Sequence, residues 1–254
     1  MFKSSVSILI PYYNESETLK CYPQNLFPVI CDIMKDFEYD YEYIFYNDGS
    51  IDSSKIVIDE YQKFMKYNIN SCGGSNNQGL GIALRDGIFL CNKEYIIVMD
   101  ADLSYEPAAV RDLLTFLKFH PDADCISSSP YRRKGLVMNS ASFMRYWGSV
   151  YFNKMYALAL GCNDITCATS MFRLYKTSCI KKMSFKSIGF DINAEILSDF
   201  ILSGKKVIEI PAVLYSRKYG SSKMKVWKEV YHALEMITKI YIKRQFPNIT
   251  RRFK

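Results

Sequence analysis

The sequence predicts an α/β protein: a mostly parallel sheet flanked by helices, closed by a basic amphipathic helix at the C-terminus. Two observations carry the prediction. The runs VSILI (6–10), YEYIFY (41–46), EYIIVM (94–99) and DCISSS (124–129) read as strands, and the first and third are almost continuously apolar, as strands covered on both faces must be. Between them, helix-period segments at 16–35, 52–66, 79–91 and 107–119 give a repeating strand–helix order. At 254 residues and 49% hydrophobic, the chain has ample material for one large core.

Local chemistry supports each element in turn. Asp52 and Ser53 suit the start of the second helix, and Pro107 suits a first helical turn. Past residue 135, SFMRYWGSVYFNKMYALALG (142–161) reads as an interfacial helix with a thick aromatic face. A strand-like TSMFRLY (169–175), a helix near 191–203, the strand KVIEIPAVL (205–213) and a basic helix from about 225 to 245 follow. No internal repeat, low-complexity tract or linker interrupts the chain. The expected organisation is therefore one domain over 1–225 and a basic amphipathic helix or tail over 226–254.

Composition excludes several classes. The eight cysteines form no CxxC pair, and the two histidines, His120 and His232, have no zinc-site spacing, so reduced thiols of a cytosolic protein are expected. The N-terminal apolar run is too short for a signal peptide, and no stretch reaches membrane-span length, so neither secretion nor membrane spanning is expected. Residues 217–254 carry eleven Lys or Arg against two Glu, while the first 216 carry 22 basic against 24 acidic residues. Such a tail suits an anionic partner: nucleic acid, anionic lipid or a phosphorylated substrate. Its aromatic residues form one amphipathic helix instead of a stacking platform, which sets nucleic acid aside.

Three strands end in polar clusters: PYYNES, NDGSIDS and DADLS. In a parallel sheet these tips share one rim, where ligands of open α/β sheets bind, so Glu15, Asp48, Asp100 and Asp102 should converge there. Carboxylates gathered this way repel one another unless a cation or donor-rich ligand lies between them. Asp100 and Asp102 supply hard oxygen ligands suited to Mg²⁺ or Mn²⁺ bridging two phosphates of a nucleotide. Gly79 and Gly81, opening the next helix, admit two readings: a phosphate-facing helix start or close helix packing.

Taken in order, VSILIPYYNE, NDGSIDSS, NQGLGIALRDG, VMDADLS, TSMFRLYK and RKYGSSKMKV resemble the inverting family 2 glycosyltransferases of GT-A fold. More narrowly they resemble the dolichol or polyprenyl phosphate mannose synthase group, from about residue 6 to 226. The resemblance implies donor binding by Pro11, Tyr13, Glu15, Asp48 and Asp100, and a metal held by Asp100 and Asp102. It implies an acceptor phosphate gripped by Arg145, Ser149, Arg217 and Lys223, and it casts Asp102, Arg217 and Lys223 as the catalytic residues. The partners implied are a nucleotide-sugar donor of GDP-mannose or UDP-glucose type, a polyprenyl or dolichyl phosphate acceptor, and a membrane surface on its cytoplasmic face, reached either by the chain alone or through a membrane-spanning partner.

The sequence departs from that pattern at several points. Asn47 stands where the second-strand motif has an acidic residue, Ser104 where a metal-associated residue is often Gln, and Cys167 where the aspartate of D-x-T-S-x-F-R belongs. Asp164, three residues earlier, is a possible substitute for that aspartate, and SSSPYRRKG (127–135) lacks the mannose synthases' G-S-R-Y. Asp191 and Glu195, in GFDINAEIL, match a prominent stretch of the family and are read either as sugar or acceptor contacts or as helix capping. The alternatives to polyprenyl transfer are transfer to a glycan or other hydroxyl acceptor, and a degenerate scaffold that binds nucleotide or lipid without turnover.

Overall fold

The computed structural model describes residues 4–133, 137–138, 143–216 and 226–246. In chain order the elements are β1 (Ser4–Tyr12), α1 (Ser16–Leu19), α2 (Tyr22–Asn25), α3 (Phe27–Phe37), β2 (Tyr39–Asp48), α4 (Ser54–Phe64), β3 (Ile69–Gly74), α5 (Leu80–Leu90) and β4 (Tyr95–Val98). Then come α6 (Val110–Phe119), β5 (Cys125–Ser129), β6 (Val137–Met138), α7 (Phe143–Leu160), β7 (Arg173–Lys176), α8 (Thr177–Ile180), α9 (Ile192–Leu202), β8 (Val207–Pro211), β9 (Leu214–Tyr215) and α10 (Val226–Gln245).

The main sheet has seven strands in the order β3-β2-β1-β4-β7-β5-β8, and β6 pairs with β9 in a small second sheet. All neighbours in the main sheet run parallel except β7, which is antiparallel to both β4 and β5. The expected mostly parallel α/β sheet is thus present. Side chains alternate across it: Val6, Ile8, Ile10 and Tyr12 of β1 join the core beneath α3 and α6, while Leu9 joins Ile88 of α5 and Ile196 of α9 on the other face. Burial on both faces explains why β1 reads as a continuous apolar run. Phe27, fully buried, packs edge-on against Tyr22, Tyr43 and Tyr61, and a ring buried that completely stabilises by about 1.5–3 kcal/mol.

Two expectations need correction. The helix expected over 16–35 is three pieces, because Pro23 and Pro28 each occupy a first helical turn, where the missing N–H costs nothing, and so each begins a new helix. The strand expected over 169–175 is the shorter β7, and its reversal carries residues 166–172 to the rim where the parallel strands end. The third layer is helical: α7, α9 and α10 bury Tyr156, Leu160, Leu197, Met236 and Ile240 together. The basic residues at the end of α10 help dock it. Lys243 Nζ pairs with Asp199 at 2.5 Å, and Arg244 donates to Leu158 O at 3.2 Å, satisfying a carbonyl at the C-terminal end of α7.

Candidate functional site

The site is built at the C-terminal rim of β2, β1 and β4, which are adjacent in the sheet. Register aligns the tips: Tyr12 lies opposite Asn47, and the Met99 amide donates to Leu9 O at 3.0 Å, bringing Asp100 and Asp102 up beside the end of β1. Asn14 (φ 53°) and Leu103 (φ 55°) both take the left-handed backbone conformation that side chains disfavour, and both lie in these tip turns.

The first two tips are stitched to each other. Asn14 Oδ1 accepts from the Ile51 amide at 2.8 Å, Ser50 Oγ accepts from the Asn14 amide at 3.0 Å, and Ser54 Oγ accepts from the Glu15 amide at 2.8 Å. The Asp52 carboxylate takes the Ser16 amide at 3.2 Å and the Ser54 amide at 2.9 Å. Asn47, in place of an acidic residue, holds its own turn by accepting from the Ser50 amide at 2.8 Å, as asparagine commonly does in turns.

Asp48 is buried, and its carboxylate faces the start of α5. It accepts from the Gln78 amide at 2.8 Å, the Gly79 amide at 3.1 Å and Asn77 Nδ2 at 3.0 Å. Burial raises its pKa above the ordinary carboxylate value, and the amides of Gln78 and Gly79 offset only part of that. These contacts favour the packing reading of Gly79 and Gly81: the Gln78 and Gly79 amides just before α5 go to Asp48, and the Gly81 amide in its first turn goes to Ile188 O at 2.9 Å. The helix start is packed, not open to a phosphate.

At the β4 tip, Asp102 is buried and accepts from the Ser104 amide at 2.9 Å. Leu103's left-handed turn aims that amide back, so Ser104 contributes a backbone donor to Asp102. Tyr22 donates to Ala101 O at 2.8 Å, and its phenol is held well above its ordinary pKa by burial first and then by the charges of Asp102, Glu15 and Asp100. Three of the four rim carboxylates therefore act electrostatically on one phenol. Among the described residues no three His, Cys, Asp or Glu side chains gather as a closed metal site. The hard carboxylate oxygens of Asp100 and Asp102 would suit Mg²⁺ or Mn²⁺, and a set without Cys or His does not suit zinc.

Across the rim, Cys167 is buried at 4% exposure, and burial pushes its thiol up to about 11, so it carries no proton-accepting thiolate near neutral pH. Asp164 is exposed; only its carbonyl takes part here, accepting from Arg132 at 2.9 Å. The carboxylate that reaches this loop belongs to Glu209 of β8, buried, which accepts from the Thr166 amide at 3.0 Å and the Cys167 amide at 2.9 Å and lies 3.5 Å from Arg132. A lone Glu inside KVIEIPAVL was the signal for it. Arg173, fully buried, ties this loop to α9: it donates to Ala168 O at 2.7 Å, Asn193 O at 2.6 Å and Ser127 Oγ at 2.9 Å, all neutral acceptors.

Pro11, Tyr13, Glu15, Asp48, Asp100 and Asp102 are thus brought to one rim, while Ser149 is half-buried on α7. Arg217 and Lys223 lie outside the described residues, as does the side chain of Arg145. The chain leading to Arg217 is anchored at the site, because the Tyr215 amide donates to Ser104 O at 2.9 Å.

Comparison with known proteins gives the family and the fold. Residues 7–183 match the model of glycosyl transferase family 2. The chain is 27% identical over 239 residues to the dolichol-phosphate mannosyltransferase of Pyrococcus furiosus, covering 92% of this chain and 63% of that one. It is 25% identical over 237 residues to the undecaprenyl-phosphate 4-deoxy-4-formamido-L-arabinose transferase of Proteus mirabilis, covering 92% and 67%. It therefore spans about two thirds of the length of these relatives. Glucosyl-3-phosphoglycerate synthase from Mycobacterium tuberculosis, in complex with Mn²⁺, UDP and phosphoglyceric acid, superposes with a TM-score of 0.67 at 16% identity, covering 95% of this chain and 78% of that one. That likeness bears out the GT-A fold. With the family model matching well over half of its length, the chain belongs to glycosyl transferase family 2.

Proposed function

We propose that the protein transfers a sugar, with inversion, from a nucleotide-sugar of GDP-mannose or UDP-glucose type to a polyprenyl or dolichyl phosphate at the cytoplasmic face of a membrane. The placement of Glu15 after the end of β1 and of Asp100 and Asp102 after the end of its parallel neighbour β4 carries this reading, since anionic side chains at one rim suit a metal-bound diphosphate. Both curated relatives named above take their names from polyprenyl phosphate chemistry.

Glu15, Pro11 and Tyr13 line the β1 tip for the nucleoside, and Asp48 acts on it by shaping the turn 77–79. Asp100 and Asp102 would hold a divalent ion, which when bound would supply neutralising charge for the nucleoside diphosphate leaving group. Arg145, Ser149, Arg217 and Lys223 orient the acceptor phosphate, the positioning contribution to rate. A phosphate is already anionic near pH 7 and needs no strong base, whereas a hydroxyl acceptor does. The neutral thiol at Cys167 therefore favours the phosphate.

No described helix is long and apolar enough to cross a membrane. The surface offered to a membrane is that of α7 and α10, which expose Trp147, Tyr151, Leu158 and Tyr241, with Phe246 just beyond α10. The test is thermal stability with GDP, UDP and CDP, each with and without Mn²⁺. One nucleotide should raise Tm only with metal, and Asp102→Asn should abolish the rise. A rise that persists in that variant contradicts the metal assignment, and no rise with any nucleotide contradicts the donor reading.

A further inference from the structure

The start of α5 is held from two sides. From β2, the Asp48 carboxylate takes the amides of Gln78 and Gly79. From the opposite side, the backbone of Ser187 and Ile188 lies directly against the first turn, with the Gly81 amide donating to Ile188 O at 2.9 Å. The approach is close enough to require glycine. A Cβ on Gly81 would sit 2.0 Å from Ser187 O, and one on Gly79, whose φ is +99°, would sit 2.4 Å from Ile188 O.

What fixes the 186–188 backbone is Glu195, in the first turn of α9. Its carboxylate accepts from the Lys186 amide at 3.0 Å and the Ser187 amide at 2.8 Å. These are charge-assisted bonds to backbone donors, and an acidic residue in a first helical turn also meets the favourable end of the helix dipole. Glu195 shares the segment with two weaker holds, the Gly81 amide on Ile188 O at 2.9 Å and Arg85 on Ser187 O at 3.5 Å, while Ile188 is 61% exposed and Phe190 42% exposed.

We infer that Glu195 is a positioning residue for the donor pocket, acting through Ser187 and Ile188 on the turn 77–79 that Asp48 holds. Remove its carboxylate and the 186–188 backbone loses its anchor, α5 loses the acceptor for the Gly81 amide, and Asp48 is left to hold the turn alone. The consequence for the donor rests on the proposed function; the mechanical link between Glu195 and the turn does not.

The experiment uses the full chain with Glu195→Ala and Glu195→Gln, the second keeping one side-chain carbonyl as acceptor. Amide hydrogen exchange of the free protein is read at Gln78, Gly79 and Gly81, with Ile97 of β4 and Leu114 of α6 as references. Titration with GDP and UDP in Mn²⁺, and kcat against donor KM, complete it. Glu195→Ala should speed exchange at the three amides by about tenfold relative to the references. It should raise donor KM by about fivefold with kcat held within about twofold, and Glu195→Gln should recover part of both effects. Exchange that rises equally at Ile97 and Leu114, or not at all at the turn, overturns the inference, and so does unchanged donor KM in an active enzyme. Should the wild type bind neither nucleotide, the proposed function falls, and the exchange result alone supports or overturns the positioning role.

Discussion

Replacing Asp48 with alanine removes the carboxylate that accepts from three donors, the Gln78 and Gly79 amides and the Asn77 side-chain amide, of which only Asn77 keeps a second acceptor, the Asp48 carbonyl at 3.2 Å. Bonds to a charged acceptor contribute about 1.5–3 kcal/mol each, which for three would sum to about 4.5–9 kcal/mol. Two terms reduce that. The pKa of Asp48 is raised, so the folded state already bears a cost for burying this charge, and water can reach part of the exposed Asn77 side chain once the turn loosens. A net loss of about 2–4 kcal/mol follows, which for a chain of this size lowers Tm by about 5–15 °C. Asp48→Asn retains one acceptor oxygen and no buried charge, so it should cost about 1 kcal/mol. The sign of the pH effect is fixed as well. A carboxyl raised in the fold gives up stability as pH climbs from about 3.9, its unfolded value, through its folded value. The asparagine variant has no such loss, so its deficit against wild type should narrow over that window. Denaturant unfolding at pH 4 and pH 7 measures both quantities. An Asp48→Ala loss below about 0.5 kcal/mol, or a gap that widens with pH, would refute the account of this carboxylate.

Two further predictions concern the frame of the site. Arg173→Met leaves Ala168 O, Asn193 O and Ser127 Oγ buried without their donor, so it should cost about 3 kcal/mol or more in denaturant unfolding; a change under about 1 kcal/mol would mean that the guanidinium does not anchor the loop. Asp124 is buried enough to raise its pKa, but the Cys179 thiol, the Lys206 amide and the Lys205 charge outweigh that and hold it below the ordinary value. Its contribution is therefore present above about 3.9 and lost as pH falls through the lower folded value, so Asp124→Asn should flatten the acid limb of the stability profile there, and an unchanged limb would contradict the assignment.

Much of this was legible in the sequence, for physical reasons that differ by element. β1 and β4 announce themselves because a strand covered on both faces must be apolar throughout, and their polar tips mark the rim where the covering stops. β3 was missed: INSCGG is an edge strand, only Ile69 of it is buried, and its pairing with β2 supplies the order that its side chains do not. The break in the first helix was written in Pro23 and Pro28, but apolar periodicity continues across both and hides it. Among site residues, the sequence singled out Asp48 and Asp102 by position. It could not show that Asp48 spends its carboxylate on the α5 turn, since the partners lie about thirty residues away, nor that Glu209 and not Asp164 reaches Thr166 and Cys167. Those pairings depend on which strands are neighbours, and strand order is set by crossovers that local pattern does not encode.

The most direct measurement is transfer itself: purified protein, Mn²⁺ and each radiolabelled nucleotide-sugar, with a short polyprenyl phosphate in one arm and the corresponding polyprenol in the other. The account predicts metal-dependent, inverted product on the phosphate and none on the alcohol, and loss of that product in Arg217→Ala with nucleotide binding retained. Product on the alcohol, or equal transfer by the Arg217→Ala variant, would contradict it.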